Sequence, residues 1–125
     1  MNKPTNKSTN KKELGKRGET LAGKLLTLHG YKILQYNYRC KKGEVDIIAM
    51  HGDYLVFVEV KYREENTLCD PQTAVNKQKQ HRISGCAAWY LKENHYPMDT
   101  AVRFDVVAIK GKQYQIFQDA FMYQG

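Results

Sequence analysis

Asp46, Glu59 and Lys61 are charged side chains set into two runs that are otherwise mostly apolar, Gly43-Glu44-Val45-Asp46-Ile47-Ile48-Ala49 and Val56-Phe57-Val58-Glu59-Val60-Lys61. Runs this rich in Val, Ile and Phe read as strands. A strand gains no stability from burying charge, so chemistry is the better reason for these residues. Two neighbouring carboxylates can hold a divalent cation, because hard cations prefer carboxylate oxygens, or they can share one proton. A phosphodiester is already negative, so hydrolysing it needs an activated water, neutralised phosphate charge and a stabilised leaving oxyanion. A cation on Asp46 and Glu59 can supply Lewis acidity and lower the pKa of a bound water. The Val60 carbonyl is a candidate third ligand. Lys61 can orient the water or steady the developing charge. Mg²⁺ fits, since it takes one or two carboxylates and keeps several waters, and Mn²⁺ serves too.

The turn between the runs fixes how they face each other. His51-Gly52-Asp53-Tyr54 predicts a hairpin with Gly52-Asp53 as a two-residue loop, glycine first as a type II′ turn requires. That register pairs His51 with Tyr54, Met50 with Leu55 and Ile48 with Phe57. It also sets Asp46 opposite Glu59 and Glu44 opposite Lys61, all on one face. Directly opposed Cβ atoms lie roughly 4.5–5.5 Å apart, where like charges destabilise each other. A slip of one residue would separate the two carboxylates.

The elements that must carry this hairpin follow from patterning. Residues 1–10 hold little to bury and read as a disordered basic arm, with a single domain over 11–125. Asn10 and Glu13 resemble a capping box for a helix from about Lys11 to His29, with Gly30 as its stop. Leu14, Gly18, Leu21, Ala22, Leu25 and Leu28 are its expected apolar stripe. A first strand is expected over Tyr31–Arg39. Asp70-Pro71 predicts the start of a second helix. This helix, broken near Asn76, should reach Glu93 and bury Ile83, Ala87, Tyr90 and Leu91. Two final strands are expected over Arg103–Lys110 and Gln113–Gln118, turning at Gly111-Lys112.

Composition bounds the rest. The chain has 125 residues, 42% of them hydrophobic, and a net charge of +7. Lys3, Lys7, Lys11 and Lys12 contribute +4, leaving +3 from 16 basic against 13 acidic residues. This excess suits a polyanion such as nucleic acid, although solubility alone also explains it. No run of about 18 apolar residues predicts a membrane helix, and no apolar signal region is present. A cytoplasmic protein with reduced thiols is expected, since Cys40, Cys69 and Cys86 form neither a CxxC pair nor a disulfide framework. His29, His51, His81 and His95 lack zinc spacing.

Arg39, Lys41, Lys42, Arg63, Lys77, Lys79, His81 and Arg82 are candidate phosphate contacts. For any one of them a solvated face is the plainer reading, Lys79 above all. Tyr62 reads as rim packing, and Trp89 and Tyr90 as helix packing. Glu19 lies near Leu26 on the helical wheel, at the edge of the stripe. Its spacing alone favours an ordinary solvated glutamate.

Taken in order, Gly18-Glu19, Gly30-Tyr31, Asn37-Tyr38-Arg39, GEVDIIA, VFVEVKYR, Ala74-Val75 with Lys77, and Arg103-Phe104-Asp105-Val106-Val107 resemble the YraN-like family of small bacterial proteins. That family is itself similar to archaeal Holliday junction resolvases and to the PD-(D/E)XK nuclease superfamily. The resemblance spans about Leu14 to Ile109. It implies a three-layer α/β, restriction-endonuclease-like fold with a central mixed sheet in the order α-β-β-β-α-β-β. It also implies an endonuclease acting on DNA, with branched or recombination intermediates as candidate substrates. A symmetric homodimer would suit a two-fold junction. Glu19 becomes the helix glutamate, Asp46 the central ligand, and Glu59 and Lys61 the (D/E)XK pair. The alternatives are a nucleic-acid-binding module without catalysis, and an interaction protein whose polar cluster only locks the sheet.

Overall fold

The structure, a computed structural model, describes residues 7–63 and 75–125, with side chains described from residue 16 onward. The elements run α1 (Lys7–Leu28), β1 (Lys32–Cys40), β2 (Gly43–His51), β3 (Tyr54–Arg63), α2 (Lys77–Glu93), β4 (Val102–Lys110) and β5 (Gln113–Phe117). This is the expected order. The five strands form one mixed sheet, β1-β2-β3-β4-β5, in which β3 and β4 are parallel and the other neighbours antiparallel. The β3–β4 connection contains α2, as a parallel crossover requires.

Each helix covers one face of the sheet. Ala22 and Leu26 of α1 pack with Tyr31, Ile47, Ala49, Val56, Val58, Val107 and Ile109. Ile83, Cys86, Ala87 and Tyr90 of α2 pack with Tyr38, Ile48, Leu55, Phe57, Phe104 and Val106 on the other. Layers on both sides explain why β3 and β4 read as continuous apolar runs rather than alternating ones.

Several local expectations change. Helix α1 begins at Lys7, so Asn10 lies inside it rather than at its start. Its buried line is Gly18, Ala22 and Leu26, while Leu21 and Leu28 face outward. Glu19 shares the inward side with Ala22 and Leu26 at helical spacing, closer to the core than expected. The N-cap of α2 is Asn76, whose Oδ1 accepts from Lys79 N at 2.8 Å. Asp70-Pro71 and Cys69 lie outside the described residues, as do positions 1–6 of the expected arm.

The β2–β3 hairpin keeps its expected register from His51↔Tyr54 to Ile47↔Val58, turning on Gly52 at φ 60°. There the ladder ends. Asp46 is not paired with Glu59, nor Glu44 with Lys61; Glu44 instead stands opposite Arg39 of β1. The cause lies in β1. Asn37 has φ 53°, a left-handed conformation that interrupts side-chain alternation. Tyr36 consequently lies against Gly23 of α1, whereas Tyr38, two residues on, is buried on the α2 side. The pairing steps over Asn37 and Asp46 together. Ile47 and Val45 of β2 divide in the same way between the α1-side and α2-side clusters. Beyond this point β3 stays with β4 as far as Arg63↔Lys110, while β2 stays with β1. The sheet opens into a wedge at Asp46.

Gly18 sets how closely α1 approaches this wedge. A Cβ there would sit 2.9 Å from Tyr62 Cβ, an atom near the backbone that cannot swing aside. Alanine at position 18 gains about 0.8–1.0 kcal/mol of helix propensity but meets overpacking of about 1–3 kcal/mol. Gly18→Ala should therefore lower stability by about 1 kcal/mol, or roughly 4 °C in Tm. Gly23→Ala meets only the hydroxyl end of half-exposed Tyr36, which can rotate away, and should cost less. Thermal unfolding of both variants checks this; equal losses would contradict it.

Candidate functional site

Within the wedge, the Asp46 carboxylate takes the place of the missing ladder. Its Oδ2 accepts a hydrogen bond from Val60 N at 2.8 Å. A strand residue's N–H and C=O point to the same side, so the Val60 carbonyl also faces the opening. Glu59 is buried, with 4% exposure, on the α2 side with Leu55 and Phe57. It forms ion pairs with Lys61 Nζ at 3.3 Å and with Lys79 Nζ, both through Oε2. No buried side-chain polar atom lacks a partner among the described residues.

Lys79 is the residue that sequence reading missed. It was expected on a solvated face, yet the first turn of α2 delivers it to Glu59. A sequence signal existed: Asn76 caps the helix, which fixes Lys79 in the first turn. The cap was obscured by the proline at position 71.

Burial and the Glu59 charge push the Asp46 carboxyl up to about 8, with Glu19 adding to the rise; the Val60 N–H and Lys79 oppose it in part. Glu19 of α1 is half-buried, on the side of the helix that faces the sheet. Burial draws Lys61 below the usual lysine range, with Glu59 opposing and Lys79 reinforcing the fall. Burial draws Lys79 down as well, but the charge and hydrogen bond of Glu59 outweigh it and leave Lys79 above that range.

The strands hold a second buried carboxylate, and it is of another kind. Asp105 receives Arg103 at 2.9 and 2.8 Å, the Tyr31 hydroxyl at 2.7 Å and Asp119 N at 3.0 Å. Arg103 Nη2 also lies 2.9 Å from His51 Nδ1, and the His51 ring stacks on Tyr31 with centroids 4.0 Å apart. Every Asp105 oxygen is occupied by protein donors. This cluster locks α1's C-terminal end to the sheet and leaves nothing for a ligand.

The basic candidates separate. Lys41, Lys42, Lys77 and Arg82 are exposed and free to meet an anion. Arg39 is exposed beside Glu44, at 3.8 Å. Arg63 is half-buried and donates to the Tyr62 carbonyl at 3.2 Å. Lys16, Arg17, Thr20, Leu21 and Lys24 of α1 line a groove of about 620 Å³ together with Tyr62 of β3. Lys16, Arg17 and Lys24 were not among the sequence candidates.

This geometry can be set beside known proteins. The model of the Uncharacterised protein family UPF0102 matches residues 18–109, most of the chain and all of the wedge. The chain belongs to this family, the YraN family. It is 46% identical over 112 residues to a UPF0102 protein of Lachnoclostridium phytofermentans, covering 90% of this chain and 95% of that one. A UPF0102 protein of Syntrophus aciditrophicus is 46% identical over 111 residues, covering 86% and 87%. One of Christiangramia forsetii is 41% identical over 115 residues, covering 89% and 95%. These relatives bear the family's name alone and bring no activity with them.

Two carboxylates and a carbonyl make a small donor set. Among the described residues no group of three or more His, Cys, Asp or Glu side chains is arranged to hold an ion. Such a set suits only a hard cation that retains water. Among these residues, too, no helix is long and apolar enough to cross a membrane.

The raised Asp46 carboxyl makes a prediction for the metal-free protein. The unfolded chain loses this proton near pH 3.8, while the folded chain holds it to about pH 8. Across that window the folded state binds the extra proton, so stability falls as pH rises. Asn cannot ionise and can still accept from Val60 N. In chelator, Asp46→Asn should match the parent near pH 4 and exceed it at pH 8 by at least about 1 kcal/mol, under one pKa unit's worth. Thermal melts against pH decide; a constant or shrinking difference contradicts the buried proton.

Proposed function

We propose that the protein is a divalent-metal-dependent endonuclease acting on DNA. The observation that carries this reading is the opening of the sheet at Asp46, where a carboxylate replaces the ladder and exposes the Val60 carbonyl beside buried Glu59. A strand pair built only for stability would continue its hydrogen bonds. The arrangement instead leaves the Asp46 carboxylate and the Val60 backbone side by side at the opening, with Glu59 on the next residue.

Asp46, Glu59 and the Val60 carbonyl would hold Mg²⁺ or Mn²⁺. When bound, the ion supplies Lewis acidity and an activated water. Glu19 approaches from α1 and can accept a hydrogen bond from that water. Lys61, held against Glu59, could steady the charge that develops on a phosphate at the centre. Lys79 neutralises Glu59 when no ion is present and can turn to a phosphate oxygen when Glu59 is engaged. Lys16, Arg17 and Lys24 offer backbone phosphates a track leading to the centre, and Lys41, Lys42, Lys77 and Arg82 a second one across α2's N-terminal end. These contacts would position a duplex without reading its sequence.

Two measurements test the reading. Labelled duplex, flap and four-way DNA should be cut with Mg²⁺ or Mn²⁺, and Asp46→Asn or Lys61→Ala should lower the rate at least about a hundred-fold. Salt-sensitive binding with no cutting under either metal would instead identify a non-catalytic nucleic-acid-binding module. Separately, Mn²⁺ binding at pH 7 must displace the Asp46 proton. Calorimetry in buffers of different ionisation enthalpy should find about one proton released per ion, fading above pH 9. Ion binding without proton release would remove Asp46 from the ligand set.

A further inference from the structure

The outward side of α2 carries a further surface, which shares Lys42 and Arg82 with the second phosphate track and extends past them. Arg82, Gly85, Trp89 and Lys92 recur at helical spacing and form one stripe, opposite buried Ile83 and Cys86. Trp89 was expected to pack against the core, yet it is 39% exposed. Walls rise on both sides of the stripe. A Cβ at Gly85 would lie 3.1 Å from the Lys42 stem, so the glycine lets that lysine from the β1–β2 turn lie across the helix. On the other side, Gln124 N donates to Ser84 Oγ at 2.9 Å and holds the C-terminal segment alongside, with Tyr123 56% exposed. The result is a groove of about 320 Å³.

The chemistry of its lining is uniform. Lys42, His81, Arg82 and Lys92 supply basic groups, Trp89 and Tyr123 supply aromatic faces, and no acidic residue takes part. Among the described residues, Lys42, Arg82 and Lys92 enter no ion pair. The charged side chains of the lining are all basic, which favours a polyanion over an acyl chain or a neutral peptide. Exposed aromatic faces between those charges favour a polyanion that carries flat rings. Bases paired inside a duplex cannot present their faces; unpaired bases can.

We propose that this groove binds an unpaired strand of DNA, with a base stacked on Trp89 and its phosphates held by Lys42, Arg82 and Lys92. The choice of DNA rests on the function proposed above; the stacking site itself does not. The two surfaces share α2. Lys79 reaches Glu59 from the first turn, and Trp89 lies ten residues on, roughly 15 Å along the axis. A single strand leaving the acidic centre along α2 would meet Trp89, so the substrate class is DNA with an unpaired arm beside its duplex.

Trp89 is the chain's single tryptophan, so its fluorescence reports on the groove alone. The whole protein is titrated in chelator with oligo(dT), oligo(rU), a blunt duplex and inorganic polyphosphate. Oligo(dT) should quench the emission, and polyphosphate should not. Labelled oligo(dT) read by anisotropy should bind Trp89→Ala at least roughly ten-fold more weakly, and Trp89→Phe should recover most of the loss. Arg82→Ala with Lys92→Ala should weaken binding and flatten its salt dependence. Oligo(dT) binding is read in chelator, without any cutting, so failed cleavage and a failed groove are told apart. The proposal is overturned if Trp89→Ala binds as the parent does, if blunt duplex quenches as strongly as oligo(dT), or if oligo(rU) binds more tightly than oligo(dT).

Discussion

The hydrogen bond from Val60 N to Asp46 is the constraint around which the rest of the molecule is arranged. Wherever an antiparallel ladder ends inside a sheet, backbone donors and acceptors are left needing partners. Here a side chain satisfies the donor and leaves the neighbouring carbonyl facing the gap. One carboxylate thereby closes an open backbone position and takes the central place among oxygens that converge there. The left-handed turn at Asn37 on β1 makes this possible, because it ends regular alternation opposite Asp46 and lets β2 follow β1 away from β3. A regular hairpin would have set Asp46 and Glu59 face to face as a strained like-charge pair. Divergence instead keeps them near each other without stacking them.

Charge balance at the centre follows from that geometry. Glu59 is buried with two ammonium groups on one of its oxygens, so its negative charge is compensated without an ion. Asp46 lacks an ammonium of its own and answers burial by holding a proton. The two carboxylates thus meet the same problem in different ways, and each solution is reversible. A proton can leave and a lysine can turn. Asp105 shows the contrast: a bidentate arginine, a tyrosine and a backbone N–H saturate it, and nothing there can be exchanged for a ligand. Burial of a carboxylate does not by itself distinguish a working site from a structural lock; exchangeable partners do.

Much of the frame was legible in the sequence because it rests on local signals. Gly52-Asp53 fixed the hairpin register, apolar runs marked β3 and β4, and the element order followed from the turn residues between them. What escaped reading depended on tertiary geometry. The sequence carries the left-handed residue Asn37 only as an asparagine between two tyrosines, and nothing local says that its φ is positive. Leu21 and Leu28 are as apolar as Leu26, and only the direction from which the sheet meets α1 decides which is buried. Trp89 looked like core for the same reason. Lys79 was misread because a lysine's long stem lets its charge act far from its backbone, and proximity to Glu59 exists only once α2 has docked.

Docking of both helices is therefore part of the site rather than its scaffold. The acidic residues lie on the sheet, but Glu19 arrives from the layer above and Lys79 from the layer below. Neither helix would be held there by its polar residue, since exposed or half-exposed charge pairs contribute little. Ala22 and Leu26 hold α1, and Ile83, Ala87 and Tyr90 hold α2. Gly18 brings the first helix within contact of Tyr62, and Asn76 starts the second one turn before the wedge. Apolar packing thus supplies the energy, and the placement of one glycine and one cap converts it into the position of two charged groups. A side chain moved by one helical turn would leave the packing nearly intact and the polar cluster incomplete, so one fold can hold such a cluster in some chains and lack it in others.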